Sequence, residues 1–258
     1  MISSQGVPCA VASLDDDVFV ARSNSQQIEV YNATTFALRH NLSVYGIGVF
    51  SGGLAACAHH ASVYASGINN RVCRIYRVKL PGRNATKNWT VANNPQGLSV
   101  NSAHNVVVAC DEERKLQEYT TRGVLVREIS LLAAFISPWH AVQLSTGDYV
   151  VGCGSYTGTV SIIGVDGHFV HMYGQSYTSD VGDMRYPKAL AVTSNDDILV
   201  KDEDKILIIN RSLDSIQKLA LSGGENNFQG LCLDESRGRL YLCEKYRGRI
   251  LVFDGVQW

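Results

Sequence analysis

The chain has 258 residues, 45% of them hydrophobic and 18% charged, with a formal net charge of −1. Such a composition builds a globular protein with a substantial core. The near-zero charge gives no global attraction to nucleic acid or to an anionic membrane, so only local patches can act electrostatically. No apolar run approaches a membrane span, and MISSQGVPCAVASLDDD at the N-terminus lacks the basic start and apolar stretch of a secretory signal.

Seven cysteines (9, 57, 73, 110, 153, 232 and 243) are odd in number, widely spread and free of any C-x-x-C spacing. This argues against a disulfide framework or a zinc knuckle and for buried thiols in a reducing, cytoplasmic setting. Five Asn-x-Ser/Thr triplets, at Asn32, Asn41, Asn84, Asn88 and Asn210, leave the compartment open. They are either glycosylation acceptors on an extracellular chain or the turn chemistry of Asn, Ser and Thr.

In chain order, one pattern of strand, polar loop and strand recurs: VFVARSNSQQIEVY (18–31), SVYASGINNRVCRIY (62–76), VVVACDEERKLQEY (106–119), VVGCGSYTGTVSII (150–163), ILVKDEDKILII (198–209) and LYLCEKYRGRILVF (240–253). The residues opening the second strand of each pair, Ile28, Val72, Leu116, Val160, Ile206 and Ile250, are 44, 44, 44, 46 and 44 positions apart. Before each pair stands a short apolar run behind Pro8, Gly52, Pro95, Pro138, Pro187 or Phe228, and after it comes a fourth, as in 124–129 and 168–173. The runs are short, rich in β-branched and aromatic residues, and bounded by Gly, Asn, Asp and Ser, which makes them strands. Six units of four antiparallel strands predict an all-β six-bladed β-propeller, with blades at about 8–44, 52–91, 95–131, 138–174, 187–221 and 228–258.

The units resemble NHL repeats: Met184-Arg-Tyr-Pro187, Arg249-Ile-Leu-Val-Phe-Asp-Gly255 and Gly167-His-Phe-Val-His-Met-Tyr-Gly174 carry the likeness. The family's Asp…Arg pair across the inner hairpin is matched only by Glu244 and Arg249. The other blades place Arg22, Ser66, Cys110, Gly154 and Val200 at the first position and Gln27, Arg71, Lys115, Thr159 and Lys205 at the second. The resemblance implies a recognition domain that reads protein or RNA through one face, as in tripartite-motif proteins, without their ligase modules. Blade six begins its outer strand at Val256–Trp258, and the residues before Pro8 are too few for a closing strand. The ring is therefore expected to be imperfectly latched, and the chain to be a fragment or one domain of a longer protein.

The second-to-third loops share one face with the inter-blade connections. At the channel mouth this predicts Cys9, Gly53, Gln96, Trp139, Lys188 and Gln229, with Trp139 and Lys188 able to form a small-ligand mouth. Blades six, one and two contribute Lys245, Tyr246, Arg247, Arg22, Asn24, Asn69, Asn70 and Arg71, while blades three and five contribute two acidic clusters, 111–113 and 202–204. Cations interleaved with an aromatic and amides suit single-stranded RNA on the basic sector. A face of mixed charge suits a protein partner better. The expected binding residues are Arg22, Asn24, Asn70, Arg71, Trp139, Lys188, Lys245, Tyr246 and Arg247.

No catalytic residue, metal, cofactor or membrane partner is expected. On the opposite face Asp16, His60, His104 and Asp148 share one repeat phase, but turns on separate blades are expected to diverge. His140 is the one histidine entering an inner strand near the mouth, against the three or so that a catalytic zinc needs, so a channel-centred metal hydrolase or lyase is the weaker alternative.

Overall fold

The computed structural model describes all residues except 1, 4, 5, 83, 93, 133–136, 155–157, 175–183, 204, 220–227 and 256–258. It is a six-bladed β-propeller, each blade a four-stranded antiparallel sheet. From the axis outward, blade one contains Pro8–Leu14, Asp17–Arg22, Gln27–Asn32 and Leu38–Ser43, and blade two Val49–Cys57, Ser62–Asn69, Val72–Lys79 and Ala85–Thr90. Blade three contains Pro95–Val100, Val106–Cys110, Lys115–Tyr119 and Leu125–Ser130, and blade four Pro138–Gln143, Tyr149–Cys153, Thr159–Ile163 and Phe169–Gly174. Blade five is Pro187–Val192, Ile198–Asp202, Lys205–Ile209 and Ile216–Lys218. Blade six is Phe228–Asp234, Arg239–Glu244 and Arg249–Asp254, with Ile2–Ser3 as its outer strand. The innermost strands touch in cyclic order, and that of blade six returns to that of blade one.

The second strands are continuously buried, as in Val106–Cys110, Tyr149–Cys153 and Ile198–Asp202. Each blade is sandwiched between two others, so both of its faces are covered and apolar residues need not alternate with polar ones. The outer strands have one free edge and are mostly exposed, as in Leu38–Ser43 and Leu125–Ser130. Small residues crowd the axis for a steric reason. A Cβ on Gly97 would lie 2.3 Å from the His140 ring, and one on Gly53 would lie 2.6 Å from both Leu98 and Ser66.

Ring closure corrects the sequence reading. Val256–Trp258 lie outside the described residues, but the outer edge of Arg249–Asp254 is taken by the N-terminal segment, with Ile2 opposite Ile250 and Ser3 opposite Arg249. Ile2 is 1% exposed, packed with Val18, Val20, Tyr241 and Ile250 across blades six and one. Two residues suffice for a latch because one side chain reaches a cluster shared by both blades.

The hairpin pairing is corrected too. In blade five Asp202, not Val200, lies opposite Lys205, with 3.6 Å between their charged atoms. In blade two Gly67 lies opposite Arg74, and in blade four Cys153 lies opposite Thr159. The acid–base clip therefore occurs in blade five as well as in blade six, where Glu244 and Arg249 are bonded. A fixed pitch hides loop-length changes. Ile75, not Arg71, is the partner of Ser66, so the blade two hairpin projects further, to a tip at Asn70 and Arg71. Both tip residues have positive φ, 50° and 65°, as a two-residue turn between twisted strands requires.

On the face of the first-to-second turns, adjacent blades are tied by a repeated device. The backbone N–H and hydroxyl of Ser102 donate to Gln143, those of Ser145 to Asp196, and those of Ser194 to Glu235. Arg237 donates to Asp16 at 2.6 Å, joining blade six to blade one. Turns expected to diverge also converge here. The rings of His59 and His104 stack at 4.0 Å between centroids, with His60 at 4.6 Å from His59. Among the described residues, however, no three His, Cys, Asp or Glu side chains are grouped to hold a metal ion. Turn chemistry accounts for two of the five Asn-x-Ser/Thr sites: Asn32 accepts from the backbone N–H of Thr34 and Thr35, and Asn210 from those of Asp214 and Ser215.

Candidate binding face and channel mouth

The mouth is built by a bulge repeated around the axis. The register of the inner strand shifts between Pro8 and Ala10, Pro95 and Leu98, Pro138 and His140, Pro187 and Ala189, and Phe228 and Leu231. Proline at the first position has no N–H to give the ladder. The residue after it is left unpaired and is re-aimed by the bulge. Cys9, Gln96, Trp139, Lys188 and Gln229 consequently line one basin of about 390 Å³, together with Ser23, Phe50, Ser51, Gly52, Gly97, Lys201, Phe228 and Lys245. Of the six predicted mouth residues only Gly53 is displaced, into a cavity of about 40 Å³ further down the channel.

Trp139 and Lys188 come together as expected. The Trp139 indole N–H donates to the Gly154 carbonyl at 2.7 Å, which sets the ring, and the Lys188 ammonium lies 4.6 Å from its centroid. Lys201 was missed. It occupies the place, opposite the second residue of the third strand, where other blades carry Ala21, Ala109, Gly152 and Cys243. A lysine where four of the other five blades carry a small side chain was the available signal, blade two having Ile68 there. Its side chain is 2% exposed and lines the basin. Cys9 donates to the Ala21 carbonyl, and burial pushes its thiol up to about 11, so it stays protonated at neutral pH.

Arg22 is corrected. Read as an exposed cation, it is buried at 2% and bonded to Glu29 at 2.7 Å, the Gly6 carbonyl at 3.0 Å and the Gly248 carbonyl at 2.9 Å. It ties blade one to the closing segment and to the blade six hairpin rather than facing a partner. The acidic sector also shrinks. Asp202 is fully buried and accepts from the backbone N–H groups of Arg185 and Tyr186. Glu113 pairs with Lys115 and Asp111 accepts from Asn94, while Asp204 and residues 155–157 lie outside the described set.

Asn24, Asn70, Arg71, Lys245, Tyr246 and Arg247 are exposed on this face, Tyr246 at 78%. Tyr45 at 73%, Val49 and Val72 add exposed apolar surface around the long hairpin of blade two, where Asn69 and Tyr76 both donate to the Gly46 carbonyl. The sequence reading passed over Tyr45, which sits in an ordinary linker between blades.

His140 stands at the channel wall, and its ring joins three blades. Nε2 donates to the Leu98 carbonyl and Nδ1 accepts the Leu190 N–H, each at 2.9 Å, which defines a neutral tautomer. Burial holds its pKa below the ordinary 6.5. At pH 8 His140→Leu leaves both backbone groups unpartnered, an expected loss of about 1–3 kcal/mol by urea unfolding. Below pH 6.5 the unfolded chain binds a proton that the folded chain refuses, so wild-type stability falls on acidification, and the variant should lose less over that range. An unchanged profile would remove the bridging role.

Fold and mouth together define a β-propeller with a cationic, aromatic-floored basin on its loop face. No family model and no curated protein sequence matches the chain. Solved structures do match. Hydrazine synthase of Kuenenia stuttgartiensis has a TM-score of 0.70 at 15% identity, covering 98% of this chain and 78% of that one. The Cps50 (Swd1) β-propeller domain of Myceliophteria thermophila has a TM-score of 0.66 at 13% identity and covers 98% of both chains. Virginiamycin B lyase of Staphylococcus aureus has a TM-score of 0.65 at 12% identity, covering 98% of this chain and 85% of that one. At these identities the likeness is one of fold.

Proposed function

We propose that this chain is a non-catalytic recognition module that holds a protein partner on the face of the inter-blade and inner-hairpin loops. One contrast carries the reading. That face gathers exposed Tyr45, Val49, Val72 and Tyr246 with Arg71, Lys245 and Arg247 around a basin, whereas polar side chains of the opposite face are engaged in ties between blades. Aromatic and arginine anchors beside apolar surface are what protein interfaces are rich in. Single-stranded RNA is the second reading, supported by Tyr246 between Lys245 and Arg247, and the burial of Arg22 removes one of its cations. The NHL resemblance belongs to this proposal, supported by the acid–base clips of blades five and six. So does cytoplasmic residence, supported by seven free cysteines, five of them buried.

The test compares the immobilised wild-type chain with an Arg71→Glu/Arg247→Ala variant, whose changes lie on exposed loops outside the basin. Specifically captured proteins from a cell extract should drop at least tenfold with the variant while the circular dichroism spectrum stays unchanged. Equal capture would sink the face assignment. Salt-sensitive binding of a randomised single-stranded RNA pool, lost in the same variant, would put RNA in the partner's place.

A further inference from the structure

The basin gathers positive charge from two neighbouring blades. Lys188 and Lys201 of blade five and Lys245 of blade six line it, and no aspartate or glutamate is among the described lining residues. Among the described residues, Glu203 is a carboxylate acting on Lys188, and it lies 3.8 Å from Arg185. Lys188 is steadied instead by aromatic faces, Trp139 at 4.6 Å and Tyr186 at 5.4 Å. Burial first, and then the charge of Lys245, hold its pKa below the ordinary lysine range. An ammonium kept under the charge of its neighbour is stabilised by an arriving anion. Phe50, Trp139 and Phe228 give the basin apolar area, and Gln96 and Gln229 give it neutral hydrogen-bonding groups.

We infer that the basin is a carboxylate pocket, filled by an aspartate or glutamate side chain of an acidic peptide segment in the partner, an inference that rests on the protein-recognition reading above. The carboxylate sits among the three ammonium groups, and a flanking apolar residue packs on the aromatic floor. The volume of about 390 Å³ admits one or two side chains, so specificity lies in a short segment. Tyr246 and Arg247 at the rim take its neighbours.

The test uses a fluorescent octapeptide library with Glu at two central positions and apolar flanks, beside the same library with Gln, titrated into the full chain at two salt concentrations. The Glu library should bind at least tenfold tighter than the Gln library, less so at high salt. Lys188→Gln, an exposed change, should reduce that preference below threefold. Lys201→Gln should do the same, with Lys188→Gln deciding the matter if the buried change does not fold. Limited acetylation read by mass spectrometry gives an independent signal: Lys188 should react early and be protected by the Glu library. No preference between libraries, or a preference that survives in Lys188→Gln, overturns the inference. Protection of Lys188 by free succinate or phosphate as strong as that by peptide overturns the peptide assignment in favour of a small anion. Protection by a short RNA alone overturns it in favour of nucleic acid. If the libraries show no preference while Arg71→Glu/Arg247→Ala still loses its captured proteins, the pocket fails and the recognition face stands.

Discussion

Replacing Ile2 by Ala lowers the stability of the whole propeller by about 3 kcal/mol, the ordinary range for deleting most of a buried isoleucine. For a chain of this length that corresponds to a fall of roughly 6–12 °C in the unfolding midpoint. The effect is large for a residue so near a terminus because Ile2 is 1% exposed and packs with side chains of both blade one and blade six. Deleting residues 1–5 should cost more. It strips the outer strand from Arg249–Asp254 and leaves that edge unpaired, so the variant should also aggregate more readily on heating. Circular dichroism melts of the two variants check this, and a shift below 2 °C in both would mean that the ring does not depend on its latch.

Arg22→Leu is the second large effect, again near 3 kcal/mol, because removing one partner of a buried ion pair leaves the other partly desolvated. Arg22 is 2% exposed, and its partner Glu29 has a side chain 18% exposed, so screening by water is limited. Arg22→Lys should not rescue it. A single ammonium cannot reproduce the forked bonds to Glu29, Gly6 and Gly248. Arg22→Leu combined with Glu29→Leu should regain part of the loss. Arg22 also grips the closing segment through Gly6, so its effect and that of deleting residues 1–5 should sum to less than their separate losses. Urea unfolding of the single and double variants measures this coupling. Full additivity would show that the arginine acts only within blade one.

The blades were legible because each strand pair repeats its apolar run at a nearly constant interval, and the sandwiching of sheets imposes that pattern locally. The mouth was legible for a related reason. Proline marks the start of four inner strands and Phe228 takes its place in a fifth, and the residue after it is the one the bulge exposes, so Cys9, Gln96, Trp139, Lys188 and Gln229 were placed correctly. Spacing alone failed wherever a loop changed length. A longer hairpin in blade two shifted Val72 out of the equivalence that counting assigned to it, and a shorter one in blade five concealed the pairing of Asp202 with Lys205.

The sequence by itself determined the number of blades, the strand order within the first five, and which loops share a face. These follow from periodicity and turn residues, which act over a few neighbours along the chain. Only the tertiary structure decided that Arg22 is a buried tie, that Lys201 reaches the basin and that Ile2 closes the ring. Each of these depends on a contact between segments far apart in sequence: Arg22 with Gly248, Lys201 with a mouth shared by all six blades, and Ile2 with Ile250. A charged side chain has the same local signature whether water or a distant carbonyl receives it, and closure of the ring brings the carbonyl there.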